Sequence, residues 1–213
     1  MEENRFGTLL EASEETVYLP NDTTLNRIQD GLQREGFIFA SPTDTVYGLQ
    51  CAWDNPSARL RLSQLKSREE EGKFIVLIPS LAIANRICAL SREHRLVLER
   101  YWPGPFTFIL PLQQKRGESL SLALRMPKSP SWIAQLLAFT GQPLASTSCN
   151  PARLPPAANA QEARRYFGNT INLYVDEESH GKSGGTKAAI PSALIDLMSA
   201  TPRVLRQGPL PFS

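Results

Sequence analysis

Residues 74–78 read Phe-Ile-Val-Leu-Ile. An apolar run without polar alternation, three of its five residues β-branched, is the pattern of a strand covered on both faces. Such a strand needs helices above and below it, and the flanking sequence supplies them. Upstream, 56–66 (PSARLRLSQLK) reads as a helix with Leu60, Leu62 and Leu65 inward and Pro56 in its first turn. Before that, 24–35 spaces Leu25, Ile28 and Leu32 as one helical face, with Thr23 or Thr24 as cap and Gly36 as stop. FIFAS (37–41) follows as a short strand closed by Pro42.

Downstream the alternation continues. A helix over 91–101 meets the breaker WPGP (102–105), then come strands FTFIL (106–110) and SLALR (121–125), and an amphipathic helix over 129–141 stopped by Gly141. Beyond PLASTSCN (143–150) lie a proline-rich turn (151–156), a helix at 160–167, strand NLYVD (172–176), a glycine-rich loop (180–185) and strands at 193–197 and 203–207. This order predicts an α/β layer architecture. No repeat or low-complexity linker divides the chain, so 1–213 is expected to form a single domain with its core over about 24–208 and mobile segments at 1–15 and 208–213.

The composition narrows the function classes. The chain has 213 residues, 41% apolar and 21% charged, ordinary for a folded globular protein with a sizeable core. Its 23 Lys and Arg against 21 Asp and Glu leave +2, too little for bulk charge to predict nucleic-acid binding, so an anionic ligand must be met locally. Cys51, Cys88 and Cys149 are widely spaced and only His94 and His180 could join them, which argues against a structural zinc site and leaves no protein-ligated metal expected. The N-terminus is acidic and no stretch approaches the roughly 18 apolar residues of a membrane span. A cytoplasmic protein with reduced thiols and no membrane partner is the expectation.

Several small polar and cationic residues stand where ligands gather in α/β sheets, beyond or at strand ends. Lys66 and Arg68 are two cations close enough to repel, which suits a multiply charged anion; equally, Glu69, Glu70 and Glu71 compensate them at a solvated surface. In SPTDTVYGL (41–49), Thr43 is placed to touch a ligand, while Asp44 and Thr45 suit either a ligand or an Asx or ST turn. Ser148 and Asn150 are two apart, which in extended backbone sets both side chains on one side; the alternative is a helix cap. Arg125, at the end of its strand, can clamp a carboxylate or form a structural ion pair. GKSGG (181–185) lacks the phosphate-loop pattern, and no Ser-His-Asp arrangement is evident.

Seven blocks in order, SPTDTVYGL (41–49), LKSR (65–68), YWPGPFTFIL (101–110), LALRMP (122–127), PLASTSCN (143–150), PSALIDL (191–197) and RVLRQG (203–208), resemble the YrdC family of threonylcarbamoyl-AMP synthases, in its short bacterial form. The resemblance implies a single α/β domain, a twisted, mostly mixed sheet flanked by helices around a deep cationic cleft. It implies condensation of L-threonine, bicarbonate or CO2, and ATP with Mg2+ into threonylcarbamoyl-adenylate and pyrophosphate. The product then feeds a separate complex that modifies adenosine 37 of tRNA. An RNA-binding module, holding transfer or double-stranded RNA in the same cleft, is the alternative.

The family's K-x-R and S-x-N signature falls on Lys66, Arg68, Ser148 and Asn150, implying phosphate binding and catalysis. Its threonine site maps onto Thr43, Arg125, Ser146 and Ser192, and its nucleotide contacts onto Ser121, Ser148 and Arg206. The chain departs from the family pattern at Glu69, where proline is common, at Cys149 for alanine, at ARLP (152–155) for SGRP, and at Ala193 for threonine.

Overall fold

The computed structural model of the chain describes residues 16–19, 21–66, 74–113, 120–177 and 190–213. The described strands are β1 Thr16–Leu19, β2 Phe39–Ser41, β3 Gly48–Ala52, β4 Ile75–Leu77, β5 Phe106–Pro111, β6 Ser121–Arg125, β7 Leu144–Ser148, β8 Leu173–Glu177, β9 Ala193–Asp196 and β10 Arg203–Arg206. They form one mixed sheet in the order β1-β8-β2-β3-β7-β4-β6-β5-β9-β10.

The run at 74–78 supplies β4 in the middle of that sheet, antiparallel to β7 and parallel to β6. Its two faces are buried differently. Val76 packs into an apolar cluster with Ala84, Leu98, Trp102 and Phe108, under α3 (Leu81–Ile87) and α4 (Arg92–Tyr101). On the same side, α2 (Pro56–Leu65) and α6 (Ala160–Phe167) bury Ala58, Leu62, Ala163 and Phe167 against Leu49, Cys51 and Ala145. Leu77 faces the other way, into Ile28, Leu32, Trp132, Ile133 and Leu136 of α1 (Asp22–Leu32) and α5 (Trp132–Thr140). Those two helices cover only one part of their face. The remainder carries Ser146, Ser148 and Arg125 in place of apolar side chains.

Several expected boundaries shift for identifiable reasons. The first helix begins at Asp22 because Asn21 caps it, its Oδ1 accepting from the Thr24 amide at 2.9 Å and the Thr24 hydroxyl at 3.0 Å. The helix expected over 129–141 starts at Trp132, capped by Ser131, and ends where Gly141 takes φ +65°. Leu60 is 47% exposed: the buried face of α2 runs through Ala58 and Leu62, one turn apart, and Leu60 lies between them on the far side. Strands β1 and β3 and helix α3 had no sequence expectation. GLQCA mixes glycine, glutamine and alanine, all poor strand formers, and β3 exists because β2 and β7 flank it on both sides.

The segment 208–213 corrects the expectation of a mobile tail. The Phe212 ring packs 4.7 Å from Tyr101 and 6.0 Å from Phe108, centroid to centroid, and Ser213 donates its amide to the Tyr101 hydroxyl at 3.1 Å. A β-carbon on Gly208 would stand 2.3 Å from the Ala193 nitrogen, so only glycine permits this approach of the tail to β9. Residues 1–15 and the glycine-rich loop at 180–185 lie outside the described residues.

Candidate functional site

The sheet register decides which side chains meet. Gly48 pairs with Ser148, Ile75 with both Ser146 and Ala123, and Leu77 with Arg125. Paired residues share a face, so Gly48, Ser146, Ser148, Ile75, Ala123 and Arg125 form one floor. Above it lies a cavity of about 560 Å³, whose lining also includes Thr43, Thr45, Ser121, Ser192 and Arg206. Seven of the ten site residues expected from the sequence therefore line one cavity: Thr43, Ser121, Arg125, Ser146, Ser148, Ser192 and Arg206. Apolar walls come from Phe74, Ile109 and Leu194.

The hydroxyls of the STS run belong to β7 itself and do not follow it. Ser146 and Ser148 reach the floor because strand residues alternate. The chain then turns: the Asn150 amide donates to the Ser148 carbonyl at 3.0 Å, so Ser148 and Asn150 do not share an extended face as their spacing had suggested. Asn150 spends its side chain locally, its Nδ2 donating to the carbonyls of Pro151 (3.1 Å) and Leu154. Lys66, 6% exposed at the C-terminus of α2, points its Nζ into this turn. It donates to the Ser148 carbonyl at 2.9 Å, to Asn150 Oδ1 at 3.0 Å and to the Asn150 carbonyl. Lys66 and Asn150 thus fix the end of β7 beside the cavity. Arg68 and Glu69–Glu71 lie outside the described residues.

Arg125 is buried and forms the structural ion pair. Its Nη2 lies 3.2 Å from Asp44 and its Nη1 donates to Thr45 Oγ1 at 2.6 Å, while the buried Nε has no hydrogen-bond partner among the described residues. Burial pushes the guanidinium pKa down, Asp44 opposes that shift and Arg206 adds to it. Asp44 is held from its other side by the Lys128 amide at 3.0 Å. Thr43 makes the ST turn that presents this segment: its hydroxyl accepts from the Thr45 amide at 3.1 Å and donates to the Val46 carbonyl at 2.7 Å.

Arg206 approaches from β10. Its Nε and Nη2 both donate to the Ser192 carbonyl, at 3.0 and 2.9 Å, and partial burial lowers its pKa. The Ser192 hydroxyl lies 2.8 Å from Thr107 Oγ1 in the buried floor. Asp44 as an ion-pair partner and Thr107 were not expected from the sequence. A lone hydroxyl inside the apolar run 106–110 was the signal for Thr107; nothing in the sequence alone tells Asp44 from a turn residue.

Two guanidiniums and a ring of hydroxyls suit an anionic ligand. Among the described residues no three His, Cys, Asp or Glu side chains gather to hold a metal. No described helix is long and apolar enough to cross a membrane. Cys51, Cys88 and Cys149 are free, buried thiols.

Residues 32–208 match the Sua5/yciO/yrdC family model, described as telomere recombination. A threonylcarbamoyl-AMP synthase of Halorhodospira halophila is 35% identical over 164 residues, 74% of this chain and 83% of that protein. One from Chromohalobacter salexigens is 35% identical over 184 residues, 83% of this chain and 95% of its own. Among solved structures, Pyrococcus abyssi Sua5 complexed with L-threonine superposes with a TM-score of 0.78 at 27% identity, covering 92% of this chain and 57% of that longer one. Escherichia coli YciO, at 22% identity and a TM-score of 0.74, covers 91% of this chain and 93% of its own and shares the fold.

Proposed function

Because the chain belongs to the Sua5–YciO–YrdC family, we propose that it is a threonylcarbamoyl-AMP synthase. The reaction joins L-threonine and bicarbonate as the N-carboxylated amino acid with loss of water, then transfers the adenylyl group of ATP to that carbamate and releases pyrophosphate. The observation that carries this reading is the convergence of Arg125, Arg206 and seven hydroxyl residues from distant parts of the chain on one cavity. The threonine in the Pyrococcus abyssi Sua5 complex supports an amino-acid site in this fold.

In this reading Arg125 grips the amino-acid carboxylate, and Thr43, Ser146 and Ser192 frame it, so that the nitrogen stays free for carboxylation. A carbamate oxygen then attacks the α-phosphorus in line, and the bond to pyrophosphate breaks as the new P–O bond forms. No residue has to move a proton in that second step, and among the described lining residues there is no histidine or carboxylate to do so. Catalysis rests on positioning and on neutralising charge that develops on phosphate oxygens.

Arg206, Ser121 and Ser148 line the nucleotide side, and Lys66 with Asn150 holds Ser148 in place; Arg68 is assigned to the triphosphate on the family signature alone. Magnesium is assigned to the substrate MgATP, whose phosphates would meet the cations and hydroxyls of the described lining residues. The proposed setting is the cytoplasm, with the adenylate passed to a separate complex that modifies tRNA. The test is pyrophosphate release by purified protein with ATP, Mg2+ and bicarbonate. Release should depend on L-threonine, and release indifferent to threonine at saturating ATP would discard the proposal.

A further inference from the structure

Thr107 is a fully buried hydroxyl in β5, flanked by Phe106 and Phe108. Its Oγ1 lies 2.8 Å from the Oγ of Ser192, and one of the two must donate. Among the described residues the Thr107 hydroxyl has no other hydrogen-bond partner. Were Ser192 the donor, the hydrogen of the fully buried Thr107 hydroxyl would meet no acceptor among the described residues, an arrangement buried hydroxyls avoid. Thr107 is therefore the donor. Ser192, which lines the cavity, is left with its own hydrogen to turn inward.

The surroundings say what that hydrogen meets. The β5–β6 ladder pairs Phe108 with Leu124, so one step further Thr107 is level with Arg125. The Ser192 carbonyl is held by both nitrogens of Arg206. Guanidiniums and a hydroxyl hydrogen thus present the positive ends of their bonds to one space. Resting on the threonine reading of the cavity, we infer that Thr107 is a positioning residue that makes Ser192 a hydrogen-bond donor to the substrate carboxylate gripped by Arg125.

Thr107→Val keeps the shape of the side chain and deletes the donor. By calorimetry, the Kd for L-threonine should rise about tenfold, the scale of one weakened charge-assisted hydrogen bond. KM for ATP should stay within about twofold, and Thr107→Ser should restore threonine binding. The preference for L-threonine over L-threoninamide, which lacks the carboxylate charge, should shrink in the valine variant. Added to Ser192→Ala, Thr107→Val should cost no further affinity.

Unchanged threonine affinity in Thr107→Val overturns the assignment. So does a parallel loss of threonine, threoninamide and ATP binding, which marks a structural role, or additivity with Ser192→Ala. Thr107→Ala answers the same questions should the valine variant fail to fold. Wild-type protein that binds no threonine overturns the functional reading itself and this assignment with it.

Discussion

Lys66 holds Asn150 at two points, its Nζ donating to the Asn150 side-chain oxygen at 3.0 Å and to the Asn150 main-chain carbonyl. A third bond reaches the Ser148 carbonyl at 2.9 Å. An ammonium has hydrogens enough to serve all three of these acceptors, which lie on one turn. Its most direct effect is on the shape of the turn that ends β7. Asn150→Ala should therefore act like Lys66→Met: each should lower turnover at least tenfold, with a stability cost of about 1–3 kcal/mol from the buried partner left behind. The double variant should be little worse than either single one. Additive losses in turnover would show that the two residues act separately.

Arg125 and Asp44 form a buried ion pair at 3.2 Å, with side chains 5% and 8% exposed. Removing one partner strands the other. Arg125→Ala should abolish measurable threonine binding and destabilise the fold by about 3–5 kcal/mol, whereas Arg125→Ala with Asp44→Ala should regain part of the stability and none of the binding. Denaturant midpoints and calorimetry measure the two effects separately. Threonine binding that survives in the single variant would release Arg125 from the carboxylate.

The buried thiols predict an alkaline weakness. Burial pushes Cys51 up to about 12 and Cys88 up to about 11 from an ordinary 9.0, and raises Cys149 as well. Below about pH 8 these thiols are largely protonated in both folded and unfolded chains and stability hardly depends on them. As pH rises from there toward 11 or 12, the unfolded chain releases protons that the fold retains, and stability falls by up to about 1.4 kcal/mol per unit for each thiol. Urea unfolding at about pH 8 and about pH 10 should show the drop, and Cys51→Ala should make it shallower. Equal midpoints at the two pH values would contradict the burial of these groups.

The layered architecture was legible because its signals are local and redundant: an uninterrupted apolar strand at 74–78, helices at regular spacing, and glycine and proline between them. The site was legible as a set of residue types at strand ends, and Arg125, Ser146, Ser148 and Ser192 do line one cavity. What the sequence could not convey was pairing. Ser148 and Asn150 are two apart in both sequence and structure, yet the turn between them sends one into the cavity and the other toward Lys66. That outcome depends on a lysine 84 residues away. Leu60 failed for a similar reason, since helical spacing fixes relative faces and not which face the sheet covers. Phe212 was read as part of a mobile tail because its partners, Tyr101 and Phe108, are distant in sequence.

The strand order has a consequence for how the molecule is made. Of nine neighbouring pairs among the described strands, only β2–β3, β5–β6 and β9–β10 are also consecutive in the chain. Most closures span long loops and are entropically late, so assembly is slow for a chain of this size. The cavity draws on β3, β6, β7 and the approach to β9, and Ser192 and Arg206 are translated after its other lining residues. A nascent chain that ends before the approach to β9 lacks Ser192, Leu194 and Arg206 from the cavity wall. Until β9 emerges, the open edge of β5 with Phe106 and Phe108 awaits its partner, a surface suited to a chaperone's grip.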